Sequence, residues 1–251
     1  MTFARAHRSR ASRARLGLVL AGCAGVLAPR GAHACGAGAG GAAGISGCSL
    51  AEHEEEARPK WRVGAGYAFT STGLHFDSGL RVDEVRNSAV VLLDYSPLRR
   101  LTLEAGAGAL VGGSITTPAG RYALAPGLAS ALGGSWRLLD TDGAIPFALL
   151  TAQLSYVSSS APQGTGYNAF DLRLGAAVGW TFWHALTPYV VGRAFGGPVY
   201  WRYQGAAITG TDDHHWQVGG GLSLRVGRVD VFAEGVPLGE QGVTAGAGFS
   251  F

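Results

Sequence analysis

The chain has 251 residues, which is enough for one β-barrel domain or two small domains. Gly accounts for 41 residues, charged residues make up only 15 % of the chain, and Lys60 is its one lysine. The solvent-exposed surface of a soluble β protein normally contains many more charged residues than this composition allows. No run approaches 18 consecutive apolar residues, so the composition predicts no membrane-spanning helix in the mature chain.

The first 34 residues have the layout of a secretory signal peptide. Five Arg and no acidic residue lie within residues 1–15, an apolar run covers 16–28, and an Ala-His-Ala cleavage site ends at Ala34. A rival hypothesis is a lipobox at residues 20–23 with Cys23 acylated, although the apolar core before it is shorter than usual. Cleavage after Ala34 removes six of the 20 Lys and Arg, which leaves 14 against 17 Asp and Glu. The formal charge of +3 therefore does not indicate nucleic-acid binding.

Residues 35–60 differ in composition from the rest and are predicted to form a flexible periplasmic tail. Gly and Ala fill the segment between Cys35 and Cys48, and an acidic cluster follows at 51–56. In an oxidising compartment Cys35 and Cys48 can form a disulfide. Free or lipid-linked thiols are one alternative, and a metal site that adds His53 is another, although the spacing matches no zinc motif.

From Trp61 onward, apolar residues alternate with small or polar ones. Successive residues of a strand point to opposite faces, so a period of two predicts strands with one apolar face. One face of each segment is apolar, and the other is rich in Gly, Ala, Ser and Thr with about one charge per strand. An interruption at residues 196–198 predicts a bulge or a change of phase. Ten segments show the alternation: residues 61–69, 89–95, 101–109, 124–133, 148–156, 170–182, 189–203, 216–226, 229–234 and 241–251.

Two further features favour a barrel in a membrane over a soluble sandwich. Aromatic residues lie near the segment ends on the apolar face, as in the girdles of membrane barrels: Trp61, Phe69, Tyr95, Tyr156, Trp180, Phe182, Trp216 and Phe251. Short connections also alternate with longer ones. The predicted long loops are 70–86, 112–121, 158–166 and 204–214, and an even number of strands brings both ends of residues 61–251 to the same side.

The last segment, residues 241–251, ends on an aromatic residue, Phe251. It resembles the closing strand of bacterial outer-membrane β-barrel proteins, and residues 61–251 are similar in pattern to small barrels of the OmpA and OmpX type. The resemblance implies that the barrel-assembly machinery reads Phe251 and that outer-membrane lipid surrounds a monomeric barrel. We therefore expect an all-β fold, a closed antiparallel transmembrane β-barrel of ten strands, with eight as the alternative and no soluble second domain. The resemblance implies a location in the cell outer membrane, with the tail and the C-terminus expected on the periplasmic side.

The charged residues of the Gly-rich face are predicted to meet inside the barrel. Buried charges persist when they are paired, so a salt-bridged plug is expected, in a protein with a structural or surface-interaction role. A narrow porin for ions or small solutes is the alternative, because the many inward Gly and Ala residues would leave free volume. The candidate lumen charges are Arg62, Asp94, Glu104, Arg137, Asp171, Arg173, Arg193, Arg225, Asp230 and Glu234.

One loop suggests an enzyme as a second alternative. Asp213 and His215 have the Asp-x-His spacing of omptin proteases, which are ten-stranded outer-membrane barrels, and a carboxylate that orients an imidazole can activate water. That family also needs an acidic pair on the opposite rim, but residues 113–120 contain no carboxylate, and Asp77 and Asp83 are poor substitutes. The predicted strands are also shorter than those of the tall omptin barrel. We therefore expect no enzymatic activity, no metal and no cofactor.

Overall fold

The computed structural model describes residues 60–139, 146–160 and 166–251. The predicted signal peptide, the lipobox at Cys23, the Cys35–Cys48 pair and the tail up to residue 59 lie outside the described residues. Within these ranges no helix is long and apolar enough to cross a bilayer. The described residues form thirteen strand segments: β1 (Trp61–Phe76), β2 (Arg81–Leu98), β3 (Leu101–Thr117), β4 (Gly120–Leu124), β5 (Gly127–Leu139), β6 (Phe147–Ser160), β7 (Gly166–Gly179), β8 (Leu186–Gly196), β9 (Val199–Tyr203), β10 (Ala206–Asp212), β11 (Trp216–Val226), β12 (Val229–Gly239) and β13 (Gln241–Ser250).

The described segments make a closed antiparallel barrel of ten strands, as predicted. β4 and β5 follow one another along one strand of the wall, as do β8 and β9, and β10 and β11. Pairing runs in the order β1, β2, β3, β5, β6, β7, β8, β11, β12 and β13, and then returns to β1. Trp61 N–H donates to the Phe251 carbonyl at 3.3 Å, and Phe251 N–H donates back to the Trp61 carbonyl at 3.0 Å. We call the end of the barrel that holds Trp61 and Phe251 the terminal end, and we call the opposite end the distal end.

The wall is taller than the sequence predicts. β1, β2 and β3 contain 16, 18 and 17 residues, whereas about 9–11 residues cross a bilayer. The predicted long loop at 70–86 is strand except for the turn at 77–80, and the predicted loops at 112–121 and 204–214 are likewise mostly strand. The prediction that the strands are short was therefore wrong.

The sequence underestimates the length of these strands because the polarity of their inner and outer faces inverts along β1 and β2. Near the terminal end the buried, inward positions are polar, with Arg62 and Asp94, and the outward positions Val91 and Leu93 are apolar. Near the distal end the buried positions become Leu74, Phe76 and Val82, whereas the outward positions Arg81 and Asp83 are exposed and charged. The pattern that marks a membrane strand stops at this inversion, although the strands continue.

The β12–β13 hairpin ends lower than its neighbours. β12 and β13 contain 11 and 10 residues and turn at Glu240. Beyond the hairpin, β10 pairs directly with β1, with Leu74 opposite Asp212 and Phe76 opposite Gly210. The wall at this height therefore has two strands fewer, and the hairpin tip lies beneath the point where its flanking strands join.

A bulge in β3 and a break between β4 and β5 lie at the same height of the wall and shift the phase of the alternation. The sequence places Leu124 on the apolar outer face together with Leu128 and Leu132. Leu128 and Leu132 are exposed, but Leu124 is buried. The neighbouring strand has a bulge at Val111, where Asn87 pairs with Gly112 and Ser88 pairs with Leu110. β4 and β5 break at the same height, so the prediction for Leu124 was wrong.

The predicted interruption at residues 196–198 separates β8 from β9. Along β7 the register is unchanged across it, since Leu172 faces Gly196 and Ala169 faces Val199. On the side of β8 and β9 that faces β10 and β11, Ala194 is opposite Trp216 and Val199 is opposite Gly210. Over this stretch the β10–β11 strand therefore has one residue more than the β8–β9 strand. The bulge therefore lies between Asp212 and Trp216, and the phase of β8 and β9 is kept.

The β7–β8 turn at the terminal end has a strained backbone. Its central residues Trp183 and His184 have φ values of 52° and 53°, and the Ala185 N–H donates to the Phe182 carbonyl at 3.0 Å. Positive φ at both central positions is typical of the type I′ turn, which favours Asn-Gly because side chains with a Cβ disfavour this region.

We expect the double substitution Trp183→Asn/His184→Gly to stabilise the folded barrel by about 1–3 kcal/mol, because it removes this strain. Urea unfolding of the refolded protein in lipid vesicles measures the change. Placing Asn-Gly at Asp77-Ser78, where neither residue has positive φ, is the control and should give no gain. Equal stabilisation by both changes would contradict the interpretation.

Candidate functional site

At the terminal end, one arginine is held between two carboxylates in the lumen. Arg62 Nη1 donates to Asp94 Oδ2 at 3.1 Å, and its Nε and Nη2 donate to the two Asp230 oxygens at 2.9 Å each. Arg62 and Asp94 are fully buried and Asp230 is nearly so. A bidentate arginine–carboxylate pair is among the strongest side-chain interactions. It links β1 to β12 across β13, where Gly248 lies beneath the guanidinium group.

A second pair lies further along the lumen. Arg193 on β8 donates to both Glu234 oxygens on β12, at 2.7 and 3.0 Å, and Tyr189 Oη donates to Glu234 at 2.9 Å. The strand between them, β11, has Gly221 at the crossing point, where a Cβ would lie 2.4 Å from Tyr189 Oη. The glycine therefore leaves room for the Tyr189–Glu234 hydrogen bond to pass over β11.

The third cluster is centred on Glu240 at the tip of the β12–β13 hairpin. Glu240 is 1 % exposed and its carboxylate contacts Arg173 at 2.6 Å and Arg86 at 3.4 Å. Arg173 also pairs with Asp171, and Arg86 lies 3.4 Å from Glu84. With its amide oriented to suit both neighbours, Gln217 donates to Glu240 at 3.3 Å and accepts from Arg193 at 3.1 Å. This amide connects the second and third clusters.

Above the third cluster the lumen is filled with apolar side chains, which we call the distal cap. Phe76 and Trp201 lie with ring centroids 5.8 Å apart, and Tyr122 and Tyr203 lie 5.7 and 4.7 Å from Trp201. These rings come from β1, β4 and β9, on different sides of the wall. Side chains buried in the cap include Leu74, Phe76, Val82, Leu110, Ile115, Leu124, Tyr167, Val199 and Trp201.

The structure places all ten predicted lumen charges on the inner face. Arg137 is buried with its guanidinium carbon 5.7 Å from the Phe147 ring centroid, and Glu104 and Arg225 are partly exposed. Sequence reasoning missed three charged residues of the third cluster, Glu84, Arg86 and Glu240, and also the buried Asp212, which accepts a hydrogen bond from Thr72 Oγ1 at 3.2 Å. Glu84 and Arg86 continue the period of Ser88 on the same strand, but this signal lies at the end of and beside the segment 70–86, which the sequence predicts to be a loop.

Large side chains from neighbouring strands pack over several of the inward-facing glycines. A Cβ on Gly248 would lie 2.0 Å from the Arg62 guanidinium, one on Gly175 would lie 2.8 Å from Arg193 Cγ, and one on Gly246 would lie 2.7 Å from the Phe232 ring. The free volume that the sequence suggests at these positions is occupied, because each small residue lies under a large one from an adjacent strand.

The structure does not bring Asp213 and His215 together. Both are exposed. Asp213 lies over Gly73 of β1, where a Cβ would be 3.0 Å from Asp213 Oδ2, and His215 lies over Gly196 of β8 at a similar distance. β1 and β8 flank the β10–β11 strand on opposite sides, so the two side chains diverge. Among the described residues no group of three His, Cys, Asp or Glu is arranged to hold a metal ion.

Phe251 is exposed and stacks against Phe249, with ring centroids 6.5 Å apart. The expected recognition of Phe251 by assembly machinery stays a prediction.

In overall fold the chain is similar to solved outer-membrane barrels. The outer membrane protease OmpT from Escherichia coli is 12 % identical and has a TM-score of 0.49, over 77 % of this chain and 97 % of that chain. The outer membrane protein OprG from Pseudomonas aeruginosa is 9 % identical with a TM-score of 0.44, over 77 % and 96 % of the two chains. The translocator domain of the autotransporter NalP from Neisseria meningitidis is 14 % identical with a TM-score of 0.44, over 78 % and 90 %.

No family model matches the chain, and no curated protein matches its sequence. At these identities the likeness concerns the barrel fold alone and carries no argument about activity. The expected resemblance to outer-membrane barrels holds at the level of fold. The finer likeness to OmpA-type and OmpX-type barrels stays a prediction.

Proposed function

We propose that this protein is an outer-membrane β-barrel with a sealed lumen, which acts through its outer surface in a structural or surface-interaction role. The observation that carries the proposal is the filling of the lumen by three charge clusters, of which the second and third are linked through Gln217, and by the distal cap above them. An ion or solute that entered the barrel would have to break buried ion pairs and then part a packed apolar cluster.

The outer face supports placement in a bilayer. Large apolar side chains point outward and are exposed, among them Val91, Leu93, Leu172 and Leu174. On β1 the exposed aromatics Trp61 and Phe69 are eight residues apart, which at ~3.3 Å per residue and a tilt of about 40° spans about 20 Å. This agrees with the ~25 Å apolar band of membrane barrels. The polar outer wall beyond Phe69 then lies outside the membrane, on the cell exterior, and the terminal end faces the periplasm.

Conductance separates this proposal from a narrow porin. Reconstituted in planar bilayers, the full-length protein is expected to show no stable single-channel steps, whereas an open porin under the same conditions conducts. Heat-modifiable gel mobility of the same sample verifies that the barrel is folded. Reproducible steps of uniform size from folded protein would overturn the sealed-lumen proposal and favour a channel.

A further inference from the structure

A cavity of about 480 Å³ lies in the distal half of the wall, along β7, β9 and β10. Three outward-facing residues of its lining form one row across these strands, since Asn168 is opposite Tyr200 and Tyr200 is opposite Thr209. One row further out, Arg202 is opposite Ala207. The hollow exists because the residues around the arginine are small, namely Ala207 and Gly166.

The cavity is rich in hydrogen-bond donors. Arg202 is exposed, and among the described residues no carboxylate pairs with it. Asn168 Oδ1 accepts a bond of 2.8 Å from Tyr156 Oη, which leaves the donor side of this amide for a ligand. Thr209 adds a hydroxyl group. A guanidinium group beside neutral donors suits a phosphate, which accepts a bidentate bond from arginine.

Directly below the cavity the wall becomes apolar. Phe170 follows Asn168 on the same face of β7, and its ring centroid lies 4.7 Å from that of Tyr156. Leu154 and Leu172 continue the exposed apolar surface toward the terminal end, at 51 % and 50 % exposure. A ligand that fits both regions has a phosphate at its head and hydrocarbon below it, and aromatic residues of this kind mark the level of lipid headgroups.

We infer that Arg202, Asn168, Tyr200 and Thr209 bind the phosphate-bearing headgroup of an outer-leaflet lipid, with its acyl chains along Phe170 and Leu172. The inference rests on the proposed placement in the outer membrane, because only there do the cavity and the apolar wall face the two parts of one lipid. The site is on the outside of the barrel and is independent of the sealed lumen.

The test uses the full-length protein folded in detergent micelles, with lipid A added as a phosphorylated diglucosamine lipid. Native mass spectrometry measures the fraction of protein that retains one lipid. Arg202→Gln is expected to weaken binding about tenfold, because a charge-assisted bidentate pair is lost. Thr209→Val is expected to weaken it less. Arg81→Gln removes an exposed arginine elsewhere at the distal end and is expected to leave binding unchanged.

Two further probes identify the chemistry. Lipid A without its phosphates is expected to bind equally weakly to the unmodified protein and to Arg202→Gln. Glucosamine 1-phosphate, which has no acyl chains, is expected to compete only at far higher concentration. Equal losses in Arg202→Gln and Arg81→Gln, no loss in Arg202→Gln, or undiminished binding of the dephosphorylated lipid would overturn the inference. Conductance of the barrel would refute the sealed lumen and leave this result standing.

Discussion

Replacing Glu240 with Ala is expected to destabilise the folded barrel by about 3–5 kcal/mol, because the change leaves two buried guanidinium groups without a shared carboxylate. Glu240 contacts Arg173 at 2.6 Å and Arg86 at 3.4 Å; the Glu240 and Arg173 side chains are almost fully buried, and that of Arg86 is 11 % exposed. The loss is larger than that of an ordinary surface pair, which contributes about 0–1 kcal/mol. Urea titration of the protein in lipid vesicles, followed by heat-modifiable gel mobility, measures the free energy of unfolding.

The position of Glu240 adds a second reason for a large effect. It forms the tip of the short β12–β13 hairpin, beneath the point where β10 and β1 join. The preceding Gly239 has a φ of 84°, and a Cβ there would lie 1.9 Å from the Trp216 carbonyl oxygen, so the hairpin has little freedom to relax. Without the carboxylate, the hairpin tip is no longer bound to the opposite walls through Arg173 and Arg86.

Asp83→Ala is the matched control for Glu240→Ala, because Asp83 is an exposed carboxylate at the same distal end. We expect it to change the free energy of unfolding by less than about 0.5 kcal/mol. Glu240→Gln keeps the shape of the side chain without its charge. Its loss of unfolding free energy is expected to lie between the losses for Glu240→Ala and Asp83→Ala. If Glu240→Ala were as stable as Asp83→Ala, the third cluster would not hold the hairpin.

The sequence predicts the terminal half of the barrel well, because one physical rule governs it. A strand between lipid and a polar lumen must alternate strictly, so Arg62, Asp94, Asp230 and Glu234 can be assigned to the inner face from their period alone. Their partners cannot be assigned in this way, because Arg62 reaches Asp230 over an intervening strand. That crossing depends on Gly248, which the pattern shows only as one of many small residues.

The distal half escapes prediction because the environment on both faces changes. Beyond Thr72 on β1 the outside is polar and the inside is apolar, so Leu74 and Phe76 are buried where the membrane pattern would place polar residues. If the membrane pattern is expected along the whole strand, the segment beyond the inversion is assigned to a loop. Glu240 gives no periodic signal at all, since it lies in a turn and becomes buried only through the pairing of β10 with β1.

The crossing of Arg62 over Gly248 gives the other prediction with a large effect. Gly248→Ala is expected to destabilise the barrel by about 3 kcal/mol or more, because the new methyl group would occupy the place of the guanidinium group, 2.0 Å from its Cζ and Nη2. Arg62 cannot move aside without losing both bonds to Asp230 and leaving that carboxylate buried and unpaired. The free energy of unfolding in vesicles is again the measurement.

Gly192→Ala is the matched control for Gly248→Ala, since Gly192 faces outward and a Cβ there meets no atom within 4 Å. It is expected to change stability by less than about 0.5 kcal/mol. A double-mutant cycle then tests the cause. If Gly248→Ala acts by displacing Arg62, Arg62→Gln/Gly248→Ala costs far less than the sum of the two single changes, because both remove the same ion pair. Additive losses would mean that the methyl group disturbs the β1–β13 backbone pairing instead, and the role assigned to Gly248 would be wrong.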